Sequence, residues 1–236
     1  MRDLLKRFIP QLSTLLVICL IAGYGIIKKD IIETKSNCLL RPTVIIDAGH
    51  GGFDGGAVAL DGTVEKDINL EISKKLCSIL NFSGFDIIMT RTDDTATDSI
   101  DGSIAKRKKS DLNNRLKLME NNKDAIYVSI HLNKFTTSSA NGAQVFYTPN
   151  FNEASVLGEE IQKSITSLLQ PYNTRVIKKG TDSTYILKNA KVPAVIVECG
   201  FISNSSELEK LKNNDYQTQL SFAIATGILN YYNNEV

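Results

Sequence analysis

Positive and negative charge nearly cancel in this sequence. Lys and Arg number 27 against 26 Asp and Glu, for a net charge of +1 at pH 7. That balance leaves no surplus for a broad basic face, so nucleic acid is not an expected partner. The four cysteines, Cys19, Cys38, Cys77 and Cys199, never form a CxxC pair, which removes a zinc ribbon and a dithiol redox motif. No GxSxG elbow supports a serine hydrolase. The glycine-rich stretch GHGGFDGG at 49–56 lacks the Lys and Ser/Thr of a P-loop and does not follow GxGxxG. Internal repeats and low-complexity tracts are absent. Histidine is scarce too, with His50 and His131 the only two in 236 residues.

What is present divides into three parts. Arg2, Lys6 and Arg7 precede an uncharged run from Phe8 to Ile27, which Lys28 and Lys29 close. This pattern predicts a signal peptide or signal anchor over 1–27, just long enough for a bilayer, with the following domain outside the cytoplasm. Residues 28–42 read as a linker ending at Pro42, and 43–236 as one α/β domain with a single core.

Within that domain the periodicity alternates between short β-branched runs and amphipathic helices. Strands are expected at Thr43–Ile46, Phe85–Thr90, Ala125–His131, Ala143–Tyr147 and Ala194–Val197. Helices are expected over Glu65–Leu80, from Asp111 with Leu112, Leu116 and Met119 inward, over Glu153–Leu169, and over Asp215–Tyr232. Residues 92–110 read as a polar loop carrying the basic run Lys106 to Lys109, a solvated face by its composition. The result is an α/β fold in three layers, a mostly parallel twisted sheet flanked by helices. Only Leu132 to Gly142 separate His131 from the next strand, too few residues for a helix that could plug a groove.

The chemistry gathers at strand ends. His50 follows the strand Thr43–Ile46 inside a glycine-rich turn, and His131 closes the strand Ala125–His131. Glu198 follows the strand Ala194–Val197, and Glu65 opens the first helix. Open α/β sheets bind their ligands at the carboxyl ends of strands. Two histidines and a carboxylate are the ligand types of an open catalytic zinc site, where bound water reaches a pKa of ~7. A further glutamate can act as general base. A nucleophilic Cys199 would need a histidine partner, and both histidines are better used in the metal set.

These residues resemble the zinc-dependent N-acetylmuramoyl-L-alanine amidases, from about Thr43 to Tyr232. The resemblance is carried by VIIDAGHGG, Glu65 at the helix start, MTRTDD, SIHLN and PAVIVECGFISN. It implies Zn²⁺ held by His50, Glu65 and His131, with Glu198 as catalytic carboxylate. Arg115, Leu132 and Asn133 become candidates for substrate contact, Leu132 by narrowing the groove. The implied reaction is hydrolysis of the amide between N-acetylmuramic acid and the L-alanine of the peptidoglycan stem peptide. The segment SIAKRKKSDLNNR, the N-terminal hydrophobic run and the lack of a wall-binding repeat are similar to the germination-specific subgroup of spore formers. That similarity implies a role in cortex maturation on the forespore side. Membrane attachment is expected from the N-terminal segment, and an activating protein partner is expected because no plug helix between His131 and the next strand restrains the groove. The rival readings are a membrane-tethered peptidoglycan-binding module without turnover, and a zinc peptidase acting within the stem peptide.

Overall fold

The structure is a computed structural model and describes residues 42–181 and 184–234. The expected hydrophobic segment at 1–27, and all of the linker except Pro42, lie outside the described residues. No described helix is long and apolar enough to cross a membrane.

The chain runs β1 (Thr43–Ala48), α1 (Glu65–Phe82), β2 (Asp86–Met89), α2 (Ile104–Asn121), β3 (Ile126–Asn133), β4 (Gln144–Tyr147), α3 (Glu153–Leu168), β5 (Lys178–Lys179), α4 (Tyr185–Asn189), β6 (Ala194–Phe201), α5 (Ser205–Lys212) and α6 (Asn214–Asn234). The strands form one sheet in the order β2-β1-β3-β6-β4-β5. All neighbours are parallel except β4, which runs antiparallel to β6. A parallel strand needs a crossover, and the first three strands have theirs in α1 and α2. The step from β3 to β4 is a short loop without a helix, as the 132–142 spacing predicts.

Each face of the sheet carries its own core. On one face Ile72, Leu76 and Leu80 of α1, spaced i, i+4, i+8, are fully buried with Val44, Val128 and Val195. The same cluster takes in Leu157, Ile161 and Ile165 of α3 and Leu220, Ile224 and Ile228 of α6. Fully burying each such side chain contributes about 1.5–3 kcal/mol before ordering entropy is set against it. The other face packs Leu116 and Met119 of α2 and Ile186 and Leu187 of α4 over Ile45, Tyr127 and Ile196. Central strands buried on both sides explain their unbroken apolar runs.

Four elements differ from expectation, one of them the two-residue strand β5 at the sheet edge. The helix expected from Asp111 starts two turns earlier, at Ile104, where the Ser103 side chain accepts a hydrogen bond from the Lys106 amide. Its early turns have no apolar stripe to signal a helix. Their charges settle on neighbours instead: Arg107 pairs with Asp98 at 2.7 Å and Lys108 with Asp54 at 3.0 Å. The run Lys106 to Lys109 is therefore helical, and two of its four side chains are engaged. Tyr185–Asn189 forms the helix α4, where the sequence suggests no more than a short ordered piece at Tyr185–Leu187. Helix α5 was not expected, although Asn204 and Glu207 form its start: the Asn204 side chain accepts from the Ser206 and Glu207 amides.

Candidate active site

The sheet topology brings the carboxyl ends of β1, β3 and β6 side by side, and the site lies there. In register, Asp47 of β1 faces Ser129 of β3, and His131 of β3 faces Glu198 of β6. Between β1 and α1 the glycine-rich turn folds back over these ends. The Gly49 amide donates to the Ile130 carbonyl at 3.1 Å, and Gly51 and Asp54 exchange backbone hydrogen bonds at 2.9 and 3.0 Å.

His50 is the one non-glycine residue with positive φ among those described, at 64°. That left-handed conformation is costly for a side chain of this size and persists only when neighbours hold it. Arg115 supplies the hold, its Nη2 donating to the His50 carbonyl at 2.9 Å. Arg91, from the MTRTDD segment, braces the same turn by donating to the Ala48 and Gly49 carbonyls at 2.9 and 3.1 Å.

Within this frame three candidate ligands converge. Donor atoms of His50, Glu65 and His131 all lie within 4.8 Å of one another. His50 Nδ1 meets Asp54 Oδ2 at 2.9 Å, which turns His50 Nε2 towards Glu65 Oε1 at 3.3 Å. His131 Nδ1 lies 3.1 Å from that same oxygen. Glu65 is 3% exposed; its Oε1 also accepts from the Leu132 amide at 2.9 Å and its Oε2 from the Ala57 amide at 2.8 Å. The two imidazoles stand edge to face, with ring centres 4.8 Å apart.

Glycine is required at two positions by close approach. A Cβ at Gly49 would fall 2.4 Å from the His131 ring, and one at Gly56 would fall 2.6 Å from both Glu65 Oε2 and His50 Cδ2. Gly56 also has φ of 70°. Any side chain at either position would push the ligand set apart.

The electrostatics fit a cation. Burial disfavours charge on His50, but hydrogen bonds to Asp54 and Glu65 outweigh it and raise the imidazole to about 9. Burial likewise opposes charge on Glu65, yet its bonds to His131 and His50 hold the carboxyl well below the usual carboxylate range. Asp54 is held low chiefly by its bond to His50, with Lys108 adding to the effect. Two carboxylates turned towards imidazole nitrogens ask for positive charge, which a divalent ion supplies in place of protons. The donor set of two imidazoles and one carboxylate matches that of catalytic zinc, and Asp54 stands where an outer partner would fix the tautomer of such a histidine.

Glu198 stands apart from this set. Its Oε2 is shut off from solvent and has no hydrogen-bond partner among the described residues. Burial, reinforced by the Glu65 carboxylate and opposed by the two histidines, raises its carboxyl to about 7. A carboxyl near neutrality in this position can both accept and return a proton.

The remaining three candidates are placed differently. Arg115 is 2% exposed, and its guanidinium is spent on Asp47, Asp111 and the Ala48 and His50 carbonyls. Leu132 is 4% exposed and its side chain belongs to the core beside Ile130, so the groove is not narrowed by it. Along a strand successive side chains alternate faces, and Leu132 falls opposite to His131. What Leu132 gives the site is its amide, donated to Glu65. Asn133 is half-buried, and its carbonyl accepts from the Ile202 amide at 2.9 Å, where the β3–β6 register shifts. Asp47 and Asp54 carry no expected role in the sequence, although both sit inside the DAGHGGFDGG stretch.

Comparison with known proteins agrees with this geometry. The family model described as N-acetylmuramoyl-L-alanine amidase matches residues 44–230. The chain is 33% identical over 234 residues to the germination-specific N-acetylmuramoyl-L-alanine amidase of Bacillus subtilis (strain 168), covering 98% of this chain and 97% of that one. Among solved structures it is similar to the CwlD amidase from Clostridioides difficile in complex with the GerS lipoprotein. There the identity is 37% and the TM-score 0.79, over 82% of this chain and 100% of that chain. The N-acetylmuramoyl-L-alanine amidase from Clostridium difficile 630 matches with 32% identity and a TM-score of 0.71, over 83% and 99% of the two chains. A match over this span, on a chain that brings His50, Glu65, His131 and Glu198 together, makes it an enzyme of the N-acetylmuramoyl-L-alanine amidase family.

Proposed function

We propose that the chain cleaves the bond between N-acetylmuramic acid and L-alanine in peptidoglycan with zinc held by His50, Glu65 and His131. The observation that carries this reading is the unpartnered Glu198 carboxylate oxygen beside a converged His-Glu-His set. Zinc in that set would supply Lewis acidity towards a carbonyl oxygen and a water molecule. The chain's own part is then to hold the ligands and to move protons. Asp54 fixes His50 through Nδ1, and Glu65 is fixed by the Leu132 and Ala57 amides. Glu198 takes a proton from the attacking water at its carboxylate and returns it to the departing alanine amine. Arg115 acts as scaffold for the His50 turn and makes no substrate contact in this scheme.

The biological setting is proposed on the same footing. A relative named for germination, matched along nearly its whole length, supports action on spore cortex outside the cytoplasm. We assign 1–27 to a signal or anchor, 28–42 to a linker and 43–236 to the catalytic domain. That the CwlD amidase forms a complex with the GerS lipoprotein supports a protein partner for this chain too, one that would activate it. No observation favours the non-catalytic module or a peptidase acting within the stem.

The test is mass spectrometry of muropeptides after digestion of purified peptidoglycan by the full chain, with and without a chelator. Intact stem peptides should leave their muramic acid, and chelation should stop the release until zinc is restored. Cleavage inside the stem peptide, or release unaffected by chelation, would refute the reading.

A further inference from the structure

We infer that Arg175 forms an anion subsite beside Glu198 which takes a carboxylate on the peptide part of the substrate. This rests on the amidase reading above. Because β4 is antiparallel to β6, its first residue, Gln144, lies at the same sheet end as the candidate ligands. Gln144 faces Glu198 in register, so the two side chains leave the same face of the sheet. Gln144 is 4% exposed and carries the row outward: its Nε2 donates to the Val176 carbonyl at 2.8 Å, and its Oε1 accepts from Arg175 Nη1 at 3.2 Å. The row thus runs from His131 through Glu198 and Gln144 to a guanidinium.

That guanidinium is held on three sides. Arg175 Nε donates to the Asn141 carbonyl at 2.7 Å, and Cζ lies 4.7 Å from the centre of the Phe201 ring. Phe201 is itself 2% exposed and backed edge-on by Phe135 at 6.4 Å. Both hydrogen-bond acceptors are neutral. Arg107 and Arg115 meet aspartates, whereas Arg175 has no carboxylate partner among the described residues. Its Nη2 donates to none of them either. Arg175 is half-exposed and borders a cleft of about 340 Å³ with Asn141, Tyr172 and Asn173. A planar cation, pre-oriented and lacking a counter-ion, suits a carboxylate.

Distance agrees with this role. One strand, β4, lies between β6 and the segment bearing Arg175, so at strand spacings of ~4.8 Å the two sites are ~5–10 Å apart. An extended peptide crosses that gap in about two or three residues. A carboxylate near the second residue of the released peptide would therefore reach Arg175.

The test pairs binding with turnover, using the full chain, its Arg175→Ala and Arg175→Lys variants, and two synthetic ligands. One is a muramoyl dipeptide, L-alanine followed by an acidic residue with a free carboxylate; the other is its carboxamide. The free dipeptides serve for titration calorimetry, which needs no turnover. Wild type should bind the carboxylate form ~10–100-fold more tightly, and Arg175→Ala should lose that preference. Arg175→Lys should keep part of it. In cleavage, KM for the carboxylate substrate should rise in Arg175→Ala with kcat within about threefold. Equal affinity of wild type for the two forms would overturn the subsite while leaving cleavage to uphold the amidase. Preference in binding without cleavage of the muramoyl bond would do the reverse. Equal weakening towards both forms in Arg175→Ala would show a merely structural arginine and overturn the inference.

Discussion

Replacing Glu198 with glutamine is expected to lower the turnover of the zinc-loaded chain by ~10²–10⁴-fold and to leave its zinc content unchanged. Glutamine has the same shape and accepts hydrogen bonds, but it cannot take the proton of the attacking water. In the proposed scheme the Glu198 carboxyl makes that transfer: Oε2 lies out of solvent with no partner among the described residues, and the residue faces His131 across the β3–β6 pair. Nothing in the fold depends on its charge, since no hydrogen bond to Oε2 would be lost. Metal analysis beside steady-state kinetics decides the matter. If zinc disappears together with activity, Glu198 is a ligand and the division of roles is wrong.

Asp47→Asn should be the most damaging change outside the ligand set, lowering stability by about 3 kcal/mol. Asp47 is 2% exposed; its Oδ2 accepts from Ser129 Oγ at 2.6 Å and its Oδ1 from Thr90 Oγ1 at 2.8 Å and from Arg115. An amide there turns an NH₂ towards one of these donors and leaves Arg115 short of one counter-charge. Breaking a buried pair costs ~3–5 kcal/mol, and the low end applies because Asp111 still meets Arg115 Nε at 2.8 Å.

The same pair sets an acid limit. Burial pushes the Asp47 carboxyl up, but Arg115, with Ser129, more than offsets this and holds it at about 2. The unfolded chain titrates near ~3.9, so the folded pKa is the lower of the two. The contribution is complete above pH ~4 and is lost as pH falls towards 2. The gap between wild type and Asp47→Asn in chemical denaturation should therefore be widest at neutral pH and shrink across that window. A variant as stable as wild type at pH 7 would remove Asp47 from the account.

Much of this site was legible because its residues are few and local. His50 and His131 needed only strand ends to place them, and Glu65 needed only a helix start. The sheet core was equally legible, since Ile72, Leu76 and Leu80 announce a helix face whatever packs against it. What escaped was set by tertiary pairing. The early turns of α2 have no apolar stripe and are held by Asp98 and Asp54 across the chain. The reversal of β4 depends on its neighbour and not on its own composition. Arg115 is a candidate substrate contact through the family resemblance alone, and only its partners show it buried beneath the His50 turn. Asp54 in turn was hidden by its glycine neighbours, since its role exists only through His50 Nδ1.

The central claim is that His50, Glu65 and His131 together hold the metal. It is tested most directly by zinc stoichiometry in the purified full chain, for wild type, His50→Ala and His131→Ala, alongside circular dichroism. Strand-end ligands lie at the margin of the core, so the fold should survive each change. About one zinc per chain in wild type should fall to background in both variants, with the helical signal retained. Full zinc occupancy in either well-folded variant would contradict the assignment.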